Sequence, residues 1–377
     1  MIRASHLPLI VTLITFVLAY ALCAWQYPSM LSWRVIANLL TDNAFLGIVA
    51  VGMTFVILSG GIDLSVGSVI AFTGVFLAVV LRDTSIHPLV AFAMILVIAT
   101  AFGASMGALI HFLEMPPFIV TLAGMFLARG AAYLLSTDSV PITHEFYDTL
   151  QSLYWKTGGG ARFRLIGGVM ILTFIVGALI AHRTRFGQNV YAMGGGSATS
   201  RLMGVPLAST TIGVYAISGG LAGLSGIVFS LYTSAGYSLA TVGVELDAIA
   251  AVVIGGTLLT GGFGFVGGTF FGILIMGLIQ TYIVFDGSIL YNGEQVVDEF
   301  SLRLGLDMPM EKENRANKII GVDGSLIDYT YDVYMPVTTV NIPPFVAEYT
   351  LTGNSVGEIS GKVKQAINYQ FNSHIWL

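Results

Sequence analysis

Nine apolar runs separated by short polar stretches occupy most of the chain before residue 286. They cover approximately residues 7–25, 43–59, 66–81, 88–111, 117–136, 165–181, 211–233, 246–260 and 265–285. Most approach the roughly 20 residues that an α-helix needs to cross a bilayer. The glycine-rich runs 66–81 and 246–260 are shorter, which favours broken or re-entrant helices lined by protein. The pattern predicts an all-α polytopic membrane protein.

A polar break separates the second and third runs at Gly60-Gly61-Ile62-Asp63-Leu64-Ser65. The glycine pair is typical of a helix end, and the oxygens of Asp63 and Ser65 are predicted to cap the next helix. A second break, Gly243-Val244-Glu245-Leu246-Asp247, repeats the order of glycine, branched aliphatic, acid, leucine and small polar acceptor. Gly255 and Gly256 follow it as further helix-break glycines.

The two breaks lie five runs apart, and an odd shift turns the second copy upside down in the membrane. The sequence therefore predicts an inverted repeat of five plus five spans. Only nine spans are visible in it, and the expected tenth is not. Paired, glycine-interrupted segments at matching places in two halves indicate a transport pathway. The pathway candidates are Asp63, Ser65, Arg129, Glu245 and Asp247. The alternative is that the acids are capping residues at the lipid–water boundary and that Arg129 snorkels or pairs with an acid.

Composition agrees with a membrane protein: 55% of the 377 residues are hydrophobic, 10% are charged, and the mean hydropathy is +0.83. A soluble domain carries about 25% charged residues. Residues 1–286 contain ten basic and ten acidic residues, whereas residues 287–377 contain six and eleven. We therefore predict a transmembrane domain, 1–286, followed by a polar tail of unknown origin, 287–377. Runs such as 329–340 favour β-structure in the tail.

The connection 182–210 is basic and contains no acid, so the positive-inside rule places it in the cytoplasm together with the N-terminus. The first apolar run is then a retained signal anchor, and the loop 137–164 lies outside. Residues 183–204, which we call the docking segment, contain a short polar stretch bounded by glycines that suits a partner-binding helix. Its candidate residues are Arg183, Arg185, Gly194, Gly195, Arg201 and Gly204. The alternative is an ordinary basic loop that only sets topology.

Five blocks, at residues 43–68, 115–125, 183–204, 243–256 and 261–264, resemble the permease subunits of bacterial ABC importers for ribose, arabinose and galactofuranose. The galactofuranose-importer permeases are the most similar group, and the resemblance extends to about Gly287. It implies ATP-driven import of a pentose or furanose-type monosaccharide across the bacterial inner membrane. It also implies a second permease subunit, separate ATP-binding subunits that contact the docking segment, and a periplasmic sugar-binding protein. Gly196 stands where these permeases usually have asparagine.

Two other functions remain open on the residues alone. An ion-coupled secondary transporter would bury a carboxylate near the membrane midplane, and only Asp63, Glu245 and Asp247 are available. A membrane-anchored protein could instead carry its activity in the tail, although His374 is the only histidine there. The sequence has no nucleotide-binding motif, so we expect a transport subunit rather than an enzyme. We expect membrane lipid around it, and no cofactor, metal or nucleic acid.

Overall fold

The computed structural model describes residues 7–156, 162–292, 299–302, 310–320, 326–336 and 346–352. A short 3₁₀ helix, Pro28–Leu31, follows the first α-helix. The α-helices of the described residues are α1 Leu7–Gln26, α2 Trp33–Asp42, α3 Ala44–Leu58, α4 Val66–Asp83, α5 Pro88–Phe112, α6 Pro117–Leu135, α7 Glu145–Ser152, α8 Leu165–Arg183, α9 Arg185–Gly195, α10 Ser197–Leu202, α11 Leu207–Thr233, α12 Val244–Ile254 and α13 Val266–Asn292.

The prediction of an all-α polytopic membrane protein is confirmed. Seven described helices are long and apolar enough to cross a membrane, namely α1, α4, α5, α6, α8, α11 and α13. Helices α2 and α3 qualify together as an eighth span, bent by 53° between Asp42 and Ala44. Eight of the nine predicted apolar runs therefore correspond to a spanning helix or to part of one.

The predicted run 246–260 differs, because its helix α12 has only 11 residues. At 1.5 Å per residue this helix is roughly 16 Å long, about half the hydrocarbon core. The non-helical segment 234–243 precedes it, and the turn at Gly255 and Gly256 ends it. The expectation of a broken helix is thus correct here, whereas run 66–81 forms one uninterrupted helix of 18 residues.

Helix starts follow local capping chemistry. The side chain of Ser32 accepts a hydrogen bond from the N–H of Val35 at the start of α2, and Thr184 does the same for Gly187 at the start of α9. Pro88 and Pro117 occupy the first positions of α5 and α6, where a missing N–H costs no helical hydrogen bond. These residues fix where the connections turn back into the bundle.

The core of the first compact unit, residues 1–282, lies around α3, where every residue from Leu46 to Leu58 is buried. Small residues let the longest helices approach closely. A Cβ added to Gly219 of α11 would lie 3.0 Å from the Cα of Gly103 in α5. Close backbone approach at small residues is how helices associate where lipid removes the hydrophobic driving force.

Short strands lie between helices of this unit. Strand β1, Val140–Pro141, pairs antiparallel with β4, Ala235–Gly236, and β2, Tyr154–Lys156, pairs antiparallel with β3, Arg162–Arg164. The first pair joins the connection before α7 to the segment after α11.

The second compact unit, residues 283–377, contains the β-structure expected of the tail. Four antiparallel strands form one sheet in the order β5-β8-β7-β6. Their bounds are β5 Glu299–Leu302, β6 Met310–Ile320, β7 Leu326–Pro336 and β8 Val346–Thr352. Residues 287–292 of the tail form the end of α13, and its other residues, including 337–340 of the predicted β-favouring run, lie outside the described residues.

Candidate functional site

The first polar break connects α3 to α4 through a glycine-terminated helix end. Gly60 has a φ of +85°, a left-handed conformation that glycine adopts without steric cost. The N–H of Gly60 donates to the carbonyl of Ile57 at 2.9 Å, and that of Gly61 donates to Val56 at 3.0 Å. This pair of hydrogen bonds is a Schellman motif, as the glycine pair predicts.

Asp63 and Ser65 are arranged differently from the prediction. Ser65 lies immediately before α4, but its side chain makes no capping hydrogen bond, because its backbone is already in the right-handed helical region. Asp63 instead accepts from the N–H of Ser65 at 2.9 Å and from its hydroxyl at 2.6 Å. The prediction that Ser65 caps α4 is therefore wrong, and Asp63 stabilises the turn before the helix.

The carboxylate of Asp63 also connects the first break to α11. It is fully buried, and its second oxygen accepts a 2.7 Å hydrogen bond from the hydroxyl of Ser218. Ser218 is the twelfth residue of the 27-residue helix α11, so Asp63 lies near the middle of the bundle.

Tyr215, one helical turn before Ser218, lies beside the same break. Its hydroxyl occupies the place that a Cβ on Gly61 would take, so the missing side chain of Gly61 makes room for it. The hydroxyl is buried and has no hydrogen-bond partner among the described residues. The sequence gives no signal for this tyrosine, because an aromatic residue in an apolar helix is ordinarily core.

The second break forms the start of α12. Gly243 is left-handed, with a φ of +89°, and Glu245 and Asp247 lie in the first helical turn, where negative charge is favoured by the helix dipole. At the other end of α12, Gly256 has a φ of +85° and forms a second Schellman motif. Gly255 is not left-handed. A Cβ added to Gly255 would lie 2.6 Å from the carbonyl carbon of Gly268, which leaves no room for a side chain.

The two breaks meet along α4. The hydroxyl of Thr241 donates to the carbonyl of Gly67 at 2.7 Å, and one carboxylate oxygen of Glu245 lies against Gly67. Gly236 packs against Gly74, farther along α4. Segment 234–243 thus runs antiparallel to α4 and reaches the bundle interior from the opposite end to the first break. The acids are not in equivalent local positions, because Asp63 precedes its helix whereas Glu245 lies within one.

Arg129 of α6 fixes this second segment. One guanidinium nitrogen donates to the carbonyls of Ser238 and Ala240, at 2.6 and 2.7 Å. One oxygen of Glu245 is buried without a hydrogen-bond partner among the described residues. Arg129 therefore contacts backbone carbonyls rather than the lipid boundary. Asp247 is half-buried on α12.

The docking segment forms two helices, α9 and α10, joined at Gly196. Gly194 packs directly on the carbonyl of Leu58 at the end of α3, and the N–H of Gly262 donates to that carbonyl at 2.9 Å. The hydroxyl of Tyr191 donates to the carbonyl of Gly264 at 2.6 Å. The docking segment is thus in direct contact with the helix that leads into the first break.

The outer side of the docking segment is exposed. Leu202 and Met203, at the end of α10, are 90% and 66% exposed, and Arg183, Arg185 and Arg201 are also exposed. Gly195 is also exposed, and a Cβ added there would meet nothing within 4 Å. Gly204 has a left-handed backbone, with a φ of +77°. Exposed apolar side chains among basic ones are typical of a surface that a partner covers.

The structure brings together some candidate residues and adds others. Asp63 and Ser65 lie at one break and Glu245 and Arg129 at the other, while the docking residues form a separate surface. Ser218 and Thr241 make additional polar contacts, and the Tyr215 hydroxyl lies beside the first break without a hydrogen-bond partner among the described residues. Ser218 belongs to a small-residue stretch that predicts only helix packing, so its hydrogen bond to Asp63 depends on tertiary structure. No group of three or more His, Cys, Asp or Glu that could hold a metal occurs among the described residues.

Residues 35–296 match the family described as branched-chain amino acid transport system, permease component. The inner membrane ABC transporter permease protein YjfF of Escherichia coli is 62% identical, over 75% of this chain and 86% of that protein. The fructose import permease protein FruG of Bifidobacterium longum is 35% identical, over 73% and 82%. The ribose import permease protein RbsC of Escherichia coli is 36% identical, over 71% and 84%. No solved structure matches significantly.

Proposed function

We propose that this chain, which belongs to the permease-component family of ABC transporters and is a multi-pass inner-membrane protein, carries a pentose or furanose-type monosaccharide into the cytoplasm. The observation that carries the proposal is the similarity to sugar-import permeases, which covers 73% and 71% of this chain for the two sugar-import relatives. The family supplies the transport role, and the names of the relatives supply the class of cargo.

The energy for import comes from a separate ATP-binding subunit that contacts the docking segment. The exposed Leu202 and Met203 beside exposed arginines support this assignment. So does the packing of Gly194 on Leu58, because movement of α9 would be transmitted to the end of α3 and to the first break. A second permease subunit and a periplasmic sugar-binding protein complete the proposed assembly.

The proposed orientation has the docking segment and the N-terminus in the cytoplasm. Support comes from a cavity that the 59–61, 110–117 and 193–201 stretches line together, so these connections share one face of the bundle. The loop that contains β1 pairs with β4, which begins two residues after α11 ends. This arrangement agrees with alternating spans.

The proposed sugar path passes the meeting point of the two breaks. Arg129, Glu245 and Asp247 would line it from segment 234–243 and α12, while Asp63 and Ser65 would hold the opposing segment in shape. The unpartnered carboxylate oxygen of Glu245 supports this role, since a buried acceptor without a partner is costly unless a ligand or water uses it. The inverted relation of the two halves remains a prediction.

Uptake into proteoliposomes tests the function. The permease is reconstituted with its ATP-binding subunit and sugar-binding protein, and radiolabelled D-ribose, D-fructose and L-arabinose are offered in turn. Uptake of at least one sugar should require both ATP and the binding protein, and a proton ionophore should leave it unchanged. Uptake driven by a proton gradient without ATP would instead establish a secondary transporter.

The tail, residues 287–377, is proposed to lie outside the transport machinery. The family match ends at residue 296, and the density of charged residues rises where the apolar runs stop. Deleting residues 288–377 and adding an apolar span of about 20 residues should improve assembly with the ATP-binding subunit. If the full-length protein transports sugar and loses this activity when residues 288–377 are deleted, the tail takes part in transport.

A further inference from the structure

A cavity of 480 Å³ lies between α3, α5, α8 and α11, among the membrane-spanning helices of the bundle. Val51 and Phe55 of α3, which are buried, form its floor. Its rim includes Leu172 and Val176 of α8, which are 60% and 45% exposed, so the cavity opens sideways toward the hydrocarbon core of the membrane. The lining is almost wholly apolar, and a polar ligand would find little to bind there.

The position of this cavity favours a hydrocarbon occupant. The bilayer core contains no water that could fill it, and an unfilled void deprives the side chains around it of their dispersion contacts. Along α8 the cavity extends from Leu172 to Ile180, a length of about 12 Å at the rise of an α-helix. Because α8 spans the membrane, this length follows the direction of the lipid chains. The cavity therefore suits one acyl chain of a membrane lipid.

Two cations lie where this face of α8 ends. Arg183 follows Val176 by seven residues and Leu172 by eleven, and both spacings return to the same face of a helix with 3.6 residues per turn. Arg185 begins α9, and both arginines are exposed. Neither makes a hydrogen bond or salt bridge within the part of the chain that the structure describes. The surrounding connection, 182–210, contains no acid that could pair with them.

We propose that the cavity and these two arginines form a binding site for an anionic phospholipid, with an acyl chain in the cavity and the phosphate group against Arg183 and Arg185. Basic pockets between transmembrane helices on the cytoplasmic side bind the head groups of such lipids. Only the choice of leaflet rests on the proposed function, which places the docking segment in the cytoplasm. Because Arg183 begins the docking segment, the bound lipid contacts its membrane edge.

A second copy of this chain fits the same surface less well. A two-fold axis along the membrane normal would bring the same patch of both subunits together. Arg183 and Arg185 of one copy would then face the same arginines of the other, with no acid in either connection to offset the repulsion. An anionic lipid offsets these charges instead.

Native mass spectrometry of the full-length chain with its ATP-binding subunit tests the head-group contact. Phosphatidylglycerol, which has a net negative charge, and zwitterionic phosphatidylethanolamine are titrated with identical acyl chains. Wild type should bind phosphatidylglycerol more tightly. Arg183→Gln should weaken that binding roughly 5-fold, the worth of one cation near a membrane surface, whereas Arg183→Lys should retain it. Arg34→Gln, which removes another exposed cation on α2, should bind both lipids like wild type.

A filling variant tests the acyl-chain contact. Val176→Trp places an indole at the mouth of the cavity and should weaken the binding of both lipids. Ile175→Trp, at the neighbouring position, which is 53% exposed and outside the lining, should bind like wild type.

Equal affinity of wild type for the two lipids overturns the proposal, and so does binding that Arg183→Gln and Val176→Trp both leave unchanged. If Val176→Trp separates two permease subunits while lipid binding persists, the cavity is an interface between copies instead. Neither sugar nor uptake enters these measurements, so their failure is distinct from failure of the proposed function.

Discussion

Replacing Gly194 by alanine would place a methyl group where α9 packs on the end of α3. The added Cβ would lie 3.0 Å from the carbonyl carbon of Leu58, with the carbonyl oxygen and the nitrogen of Gly262 closer still. Carbon atoms ordinarily pack at roughly 3.5–4.0 Å. The neighbours are backbone atoms and cannot rotate aside, so either α9 shifts or the hydrogen bond from Gly262 to Leu58 lengthens.

The net cost of Gly194→Ala follows from three opposing effects. Overpacking costs about 1–3 kcal/mol. Weakening the hydrogen bond between Gly262 and Leu58 adds about 0.5–1.5 kcal/mol. Replacing a helical glycine by alanine returns about 0.5–1 kcal/mol. The free energy of unfolding should therefore fall by about 0.5–4 kcal/mol, with the strain concentrated where the docking segment meets α3.

The adjacent glycine provides the control for this prediction. Gly195 lies in the same helical turn, and an added Cβ would meet nothing within 4 Å, so Gly195→Ala should only gain the helix preference of alanine. The two variants are compared by thermal unfolding in detergent and by the number of ATP molecules hydrolysed per sugar imported. The Gly194→Ala variant should unfold at a lower temperature and hydrolyse more ATP for each sugar imported. Equal unfolding temperatures and equal ratios for both variants would refute the packing argument.

Three further predictions concern the same elements. Gly204→Leu forces a branched side chain into a left-handed turn, which costs about 1–2 kcal/mol. It should raise the ATP hydrolysed per sugar imported without affecting membrane insertion, and Gly195→Leu is the matched control. In a double-mutant cycle of thermal unfolding, Ser218→Ala and Asp63→Asn should show a coupling energy of about 1.5–3 kcal/mol, and additive effects would contradict their hydrogen bond. Arg129→Gln should reduce uptake more than Arg129→Lys, which keeps the charge; equal uptake rates would show that the charge is not needed.

Hydrophobic patterning alone determined the class of this protein and most of its helices. Eight apolar runs became spanning helices or parts of them, because a segment of about 20 apolar residues has few alternatives to a helix in lipid. The left-handed glycines at positions 60 and 256 were also predictable, since glycine after the last turn of a helix follows local steric rules. The helix after Gly243 was expected to be broken because its apolar run is short and rich in glycine.

Tertiary structure decided which polar groups meet. The sequence predicts that Asp63 and Ser65 cap α4, yet the fully buried carboxylate of Asp63 bonds Ser218, a contact between residues 155 positions apart in the chain. Nothing local to Tyr215 distinguishes it from a core aromatic residue; its unpaired hydroxyl results from the packing of α11 against Gly61. Likewise, Arg129 bonds the carbonyls of Ser238 and Ala240 only because segment 234–243 turns into the bundle. Patterning specifies which faces are buried, whereas hydrogen-bond partners across helices depend on how the helices pack.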